Sequence, residues 1–306
     1  MTPFQLFCQQ LANGLTLGSI YALTALGYTM IYGVIQLINF AHGEVFIVGA
    51  YAALTLILLA GTGPLGTLLP AWALLPLLAL GSMACCGLLG LGIERVAYRP
   101  IRHAPRLNAL ITAIGVSFFL QNALMLLYSP TDRQFPNPLP PAQWPLGGVT
   151  ITAMQVLIWG ASGALMLGLQ ALVMSTKLGM AMRATAQDMK ACALLGIPVN
   201  RIIAVTFVIS SAFAAMGGVL FGLQYGTINF HDGYVIGLRA FTAAVLGGIG
   251  NIPGAMVGGL VLGLLEGLGA GYLSSQWKNV FAFVVLVVLL LFKPTGLLGE
   301  RVADRA

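Results

Sequence analysis

Charge is what this sequence lacks most. Asp, Glu, Lys and Arg make up 7% of its 306 residues and hydrophobic types 58%, whereas about a quarter of a soluble domain is charged. No acidic or basic residue occurs from Met1 to Gly43, Val45 to Ile93, Leu107 to Thr131 or Gln134 to Thr176. Each tract can supply at least one run of the roughly 20 apolar residues that cross a bilayer as a helix. A soluble globular fold is thereby excluded. The tracts show no alternation of period two, so helices are predicted rather than barrel strands.

Signatures of catalysis are missing as well. His42 and Glu44 do not form the HExxH metal spacing, and the other histidines are only His103 and His231. Gly18-Ser19-Ile20 lacks the GxSxG elbow, and no glycine-rich loop is present to cradle nucleotide phosphates. The chain therefore reads as a non-enzyme that binds no cofactor or metal of its own. Cys8, Cys85, Cys86 and Cys192 have no metal-ligand spacing and read as small packing residues. No basic segment precedes the first apolar run, so no cleaved signal peptide is expected.

What charge there is lies in a few loops. Arg95, Arg99, Arg102 and Arg106 form one cluster, and the segment from Lys177 to Arg201 forms a second. The positive-inside rule puts both in the cytoplasm, together with the tail after Lys293. The net charge of +6 is thus a statement about topology, and no nucleic-acid partner is implied. Residues 129–151 hold six prolines and little charge, which predicts an irregular loop outside.

Between these anchors the expected fold is all-α: a polytopic transmembrane bundle of about 8–9 spans in a single domain, residues 1–306. Helices are predicted near 11–38, 43–61, 68–92, 107–128, 152–174, 202–224, 234–250, 254–273 and 278–293, the last three short. The amino terminus falls outside and the carboxyl terminus inside. Gly254, Gly258 and Gly259 recur at helical spacing, which suits close helix crossing within the bundle, a dimer seam or a moving gate. A weak internal likeness links the stretch from Asn39 with the stretch from Asn251, as in transporters built from repeats.

Two polar sets stand out against this apolar background. Gln36, Asn39, His42 and Glu44 interrupt the first long tract. They read either as a turn at the cytoplasmic interface, with Glu44 in the first turn of the next helix, or as groups in the substrate path or its gate. Glu266, Asp232 and Arg239 are the other ionisable groups in the apolar part, Asp232 and Arg239 placed at the interface. So few groups give a proton-driven carrier little to work with, and an external energy source fits better.

The second set lies in the loop 175–201. Met180 to Leu195 reads as one short amphipathic helix with Arg183, Gln187, Asp188 and Lys190, stopped by Gly196 and Pro198. Such a helix is shaped to sit in a groove on a soluble partner. Resting on lipid headgroups is the other reading.

Three blocks carry a resemblance over nearly the whole chain: the run from Asn13 to Tyr51, the run from Arg183 to Leu220, and the run from Ala240 to Leu268. They resemble the LivH-type membrane permeases of bacterial high-affinity branched-chain amino acid ABC importers. The resemblance implies a passage for leucine, isoleucine and valine in the bacterial inner membrane. It also implies a LivM-type second permease, two cytoplasmic ABC ATPases that use ATP, and a periplasmic amino-acid-binding protein. Importers at large carry an EAA, three residues, Gly pattern in the ATPase-docking loop. Here Ala191 and Gly196 keep that pattern, while Lys190 replaces the acid and Cys192 the second Ala. Arg183, Asp188, Lys190, Ala191 and Gly196 are therefore the residues expected to couple to the ATPase. A sugar permease of the ribose type, a urea or amide permease, and a channel or secondary carrier remain alternatives.

Overall fold

The computed structural model describes residues 2–62, 70–102, 104–137, 139, 142–272 and 278–299. His103, the expected start of the third helix at 68, the end of the eighth at 273 and the tail from 300 lie outside these.

Helix α1 spans Pro3–Ile35. It begins eight residues before the predicted start because Thr2 and Gln5 form a reciprocal capping box with Pro3 in the first turn. It ends where Gln36 adopts a left-handed conformation, φ 54°. Helices α2 (His42–Thr62), α3 (Ala71–Ile93), α4 (Arg106–Tyr128) and α5 (Ala153–Ser175) follow. A π-helical turn, Glu94–Tyr98, prolongs α3. Then come the short α6 (Lys177–Gln187) and α7 (Met189–Leu194). Helices α8 (Val199–Tyr225), α9 (Asp232–Gly247), α10 (Ile252–Tyr272) and α11 (Lys278–Phe292) complete the chain.

Seven of the described helices are long and apolar enough to cross a membrane, and α9 and α11 are shorter. The chain is thus an all-α, multi-pass membrane protein. Helix α1 runs through its centre with α5, α8, α9 and α10 packed on it. The α1–α10 seam is close because both helices lack side chains there. A Cβ on Gly263 would stand 2.1 Å from the Gly18 nitrogen, so the backbones are in direct contact. Gly254, Gly258 and Gly259 likewise pack within the chain, on Gly247, Ala243 and Ala22.

The two arginine-bearing loops share one end of the bundle, tied by Arg102 Nη1 donating to Asn200 Oδ1 at 2.6 Å. Arg102 also pairs with Glu94 at 2.6 Å. Burial pushes the Arg102 guanidinium below its ordinary pKa, and Glu94 opposes that shift. The end of α1 and residues 248–251 meet at this end, where Leu298 donates to the Gly247 carbonyl. At the opposite end, Gln5 and Gln9 bond to the carbonyls of Gly147 and Thr150. The start of α1 and residues 297–298 thus lie at opposite ends of the bundle, as the charge distribution predicts.

The proline-rich loop is more regular than expected. Strands β2 (Gln143–Leu146) and β3 (Val149–Thr152) form a hairpin across Gly147-Gly148, both at positive φ. Such a Gly-Gly pair before an alternating strand is a hairpin signal. Two further residue pairs, β1 (Arg133–Gln134) and β4 (Thr227–Ile228), join this loop to the end of α8.

Candidate functional site

The polar set from Gln36 to Glu44 does not sit in an interfacial turn. After Ile35 the chain folds back into the bundle, and α2 starts well inside it. The His42 ring packs on Gly27, eight residues before the end of α1, a rise of about 12 Å. His42 Nδ1 lies 3.5 Å from Ser210 Oγ, near the middle of α8. Glu44 Oε1 accepts from Ser117 Oγ at 3.3 Å, near the middle of α4. Asn39, His42 and Glu44 are 2%, 0% and 1% exposed. Only Gln36 is open, bordering a cavity at the arginine end with Tyr32 and Leu107. The interfacial placement fails because the six residues that link α1 to α2, which sequence alone cannot orient, run inward.

A second such turn faces the first. Asn39 Oδ1 accepts from the Ala41 amide at 3.1 Å and Asn39 O from the His42 amide at 3.1 Å. Asn229 Oδ1 accepts from the His231 amide at 2.9 Å and Asn229 O from the Asp232 amide at 3.1 Å. The sequences match accordingly: Asn39-Phe40-Ala41-His42-Gly43 and Asn229-Phe230-His231-Asp232-Gly233. The repeat therefore pairs Asn39 with Asn229 rather than with Asn251. Helix α1 runs toward the arginine end and α8 away from it, so the two helix–turn–helix units are inverted copies.

The starts of α2 and α9 cross at this point. A Cβ on Gly43 would come within 2.6 Å of Gly237 Cα and 2.5 Å of the Gly233 carbonyl, so only glycine permits the crossing. Two helix starts thus meet at the buried Gly43 and Gly233, and each carries a carboxylate in its first turn, Glu44 and Asp232. The helix dipoles favour acids there. Tyr98 Oη donates to Asn39 Oδ1 at 3.0 Å and links the crossing to the arginine end.

Arg239 is not interfacial. It donates to Tyr21 Oη at 2.8 Å, and Tyr21 donates to Glu266 Oε2 at 2.9 Å. Arg239 and Glu266 approach to 3.6 Å. The triad ties α9 to α1 and α10 with its charges compensated inside the protein.

The loop at the arginine end holds two helices where one was predicted. Asp188 breaks the run: its backbone is extended, and its Oδ1 accepts from the amides of Lys190 and Ala191 at 2.8 and 3.0 Å. It thereby caps α7, a habit of Asp visible in sequence. Cys192 is buried beneath α7 and Gly196 ends it at φ 80°. Leu194 and Leu195 stand outward, 90% and 79% exposed. Sequence reasoning passed over these two leucines because at helical spacing they resemble a core stripe. Arg183 lies apart from α7 and donates to the Val173 carbonyl. With Lys190 and Ala191 it shares the loop but not one face.

A family model described as the permease component of a branched-chain amino acid transport system matches residues 10–290. The chain belongs to that family. This permease is 48% identical, over 99% of its length and 98% of the relative's, to the high-affinity branched-chain amino acid transport system permease protein LivH of Escherichia coli K12. It is 49% identical to the corresponding protein BraD of Pseudomonas aeruginosa, each chain 98% covered. A probable LivH of Methanocaldococcus jannaschii is 27% identical over 94% of the permease. All three relatives are named as transport permeases.

Proposed function

We propose that this chain is one of two membrane-spanning subunits of a binding-protein-dependent ABC importer. It provides the passage for leucine, isoleucine and valine across the bacterial inner membrane. A LivM-type subunit is the second permease, and a periplasmic binding protein delivers the amino acid. Two cytoplasmic ATPases hydrolyse ATP, and this chain needs no cofactor and performs no catalysis itself. The likeness to LivH and BraD over almost the whole length supports the cargo class.

The observation that carries the ATPase part is the tip of α7. Two leucines, 90% and 79% exposed, project beside Lys190 at the end that bears the basic loops. A six-residue helix is too short to be stable alone, so Asp188 and Gly196 hold a shape that a partner's groove can grip. Asn39, His42 and Glu44 act in this reading as the pivot of a gate rather than as lining of the passage. Closing and opening then require that ATPase contacts differ between two helix arrangements.

The test is to solubilise a tagged copy from its native membrane and identify its companions by mass spectrometry. A second copy carries a Gly/Ser linker in place of residues 188–196. ATPase subunits and a second permease should accompany the intact protein, and the ATPases should be lost with the linker. Recovery of neither ATPase under mild conditions overturns the reading in favour of a channel or secondary carrier.

A further inference from the structure

The spanning helices differ in what they turn outward. The outward faces of α3 and α11 carry Leu77, Leu80 and Leu88, and Val280, Val284 and Val287, all suited to lipid. That of α5 carries Val156, Leu167 and Met174 among glycines. Helix α4 is different. It is the least buried of the seven spans, with 17% of its central window covered. It covers one side with Ala109, Ala113, Leu120 and Leu124, while Asn108, Thr112, Gly115 and Asn122 fall on another at spacings of four, three and seven.

Those intervals place the four residues on a single helical face, shared with the exposed Phe119 and Leu126, so this face is mixed where those of α3 and α11 are apolar. Asn108, Gly115 and Asn122 are exposed and Thr112 half-exposed. Beyond the first turn of its helix, Asn122 is the one exposed amide among the described spanning helices. Its Nδ2 donates back to the Phe118 carbonyl at 2.7 Å. A Cβ on Gly115 would meet nothing within 4 Å, so the centre of the face is open. Hydrocarbon penalises the Asn122 amide on this face, because a polar group finds no partner there.

We propose that this face of α4 is the wall of the solute passage. Water fills the space before it, and the α-amino and α-carboxylate groups of a zwitterionic amino acid exchange hydrogen bonds with Asn122, Thr112 and Asn108 as they pass. The proposal rests on the two-permease reading above and names the surface that faces the second subunit across the passage. The back of the same helix touches the crossing of α2 and α9. Ser117 bonds to Glu44, and Gln121 lies 2.8 Å from His231 Nδ1. Movement of the crossing is thereby transmitted to the wall.

Single cysteines test this in the intact complex, with Cys8, Cys85, Cys86 and Cys192 replaced by alanine. Gly115→Cys and Asn122→Cys probe the wall. Leu80→Cys and Leu88→Cys on the apolar outward face of α3 are lipid-facing controls. The thiolate attacks a charged thiol reagent, and an apolar environment suppresses its formation. The wall positions should therefore label at least about tenfold faster than the controls, one unit of thiol pKa. Leucine-loaded binding protein with ATP should alter the wall rates alone. Wall rates equal to those of Leu80→Cys and Leu88→Cys overturn the proposal. Subunits co-purifying in the same preparation report on the importer reading separately. As a second variant, Asn122→Leu suits lipid and should fold. Uptake that falls several-fold with ATPases still bound supports the wall, and unchanged uptake overturns it.

Discussion

Ser117 donates its hydroxyl to Glu44 at 3.3 Å, joining the middle of α4 to the start of α2. The other carboxylate oxygen, Oε2, makes no hydrogen bond among the described residues. It lies 2.6 Å from where a Cβ on Gly233 would stand. A carboxylate held by one hydroxyl and walled in by a neighbouring helix is placed to sense any shift between α2, α4 and α9.

Glu44→Ala should therefore lower uptake of labelled leucine into vesicles by about tenfold or more at normal membrane abundance. Ser117→Ala should cost about 1 kcal/mol, the net worth of one hydrogen bond. Normal uptake by Glu44→Ala removes the gating role.

Two glycine-to-alanine changes should part company. At Gly43 the new methyl meets the backbone of Gly233 and Gly237, which cannot yield. Overpacking of this kind costs about 1–3 kcal/mol or more, and the variant should melt lower and transport less. At Gly196 nothing lies within 4 Å and only the left-handed backbone at φ 80° is strained. That penalty is about 1–2 kcal/mol and local to α7, so ATPase retention should suffer while the bundle's melting temperature stays put.

Arg239 and Glu266 form a compensated pair, so single and double replacements should differ. Glu266→Gln leaves a guanidinium facing a neutral amide at depth. Breaking one side of a buried pair costs about 3–5 kcal/mol. The combined Arg239→Met, Glu266→Met variant should recover part of the lost melting temperature, since both charges go together. A double variant no better than the worse single would show that the two do not compensate each other.

Leu194→Asp with Leu195→Asp should release the ATPases without disturbing the bundle, because neither side chain is buried. Asp188→Ala removes the cap of α7 and should weaken retention less, in line with the roughly 1 kcal/mol of a lost N-cap. Co-purification at matched expression measures both.

Much of this was legible before any coordinate. The long apolar helices, the basic loops at one end and a helix-bearing loop at 175–201 follow from hydropathy, charge and the Gly196-Ile197-Pro198 stop. The cap at Thr2 and the hairpin at Gly147-Gly148 were also written locally, in residue types with known habits. The match between Asn39 and Asn229 was visible too, but it is five residues long. It acquires meaning only because both turns have the same hydrogen bonds and run in opposite senses.

The sequence by itself determined where the chain must be helical and apolar, since a bilayer demands that every backbone group be satisfied within a span. Only the tertiary structure decided which faces meet. Lipid is as apolar as a protein core, so hydrophobic pattern cannot separate a buried side from a lipid-facing one. For that reason the depth of His42 and Glu44, the partnership of Arg239 with Glu266 across 27 positions, and the outward amide of Asn122 on α4 came from packing.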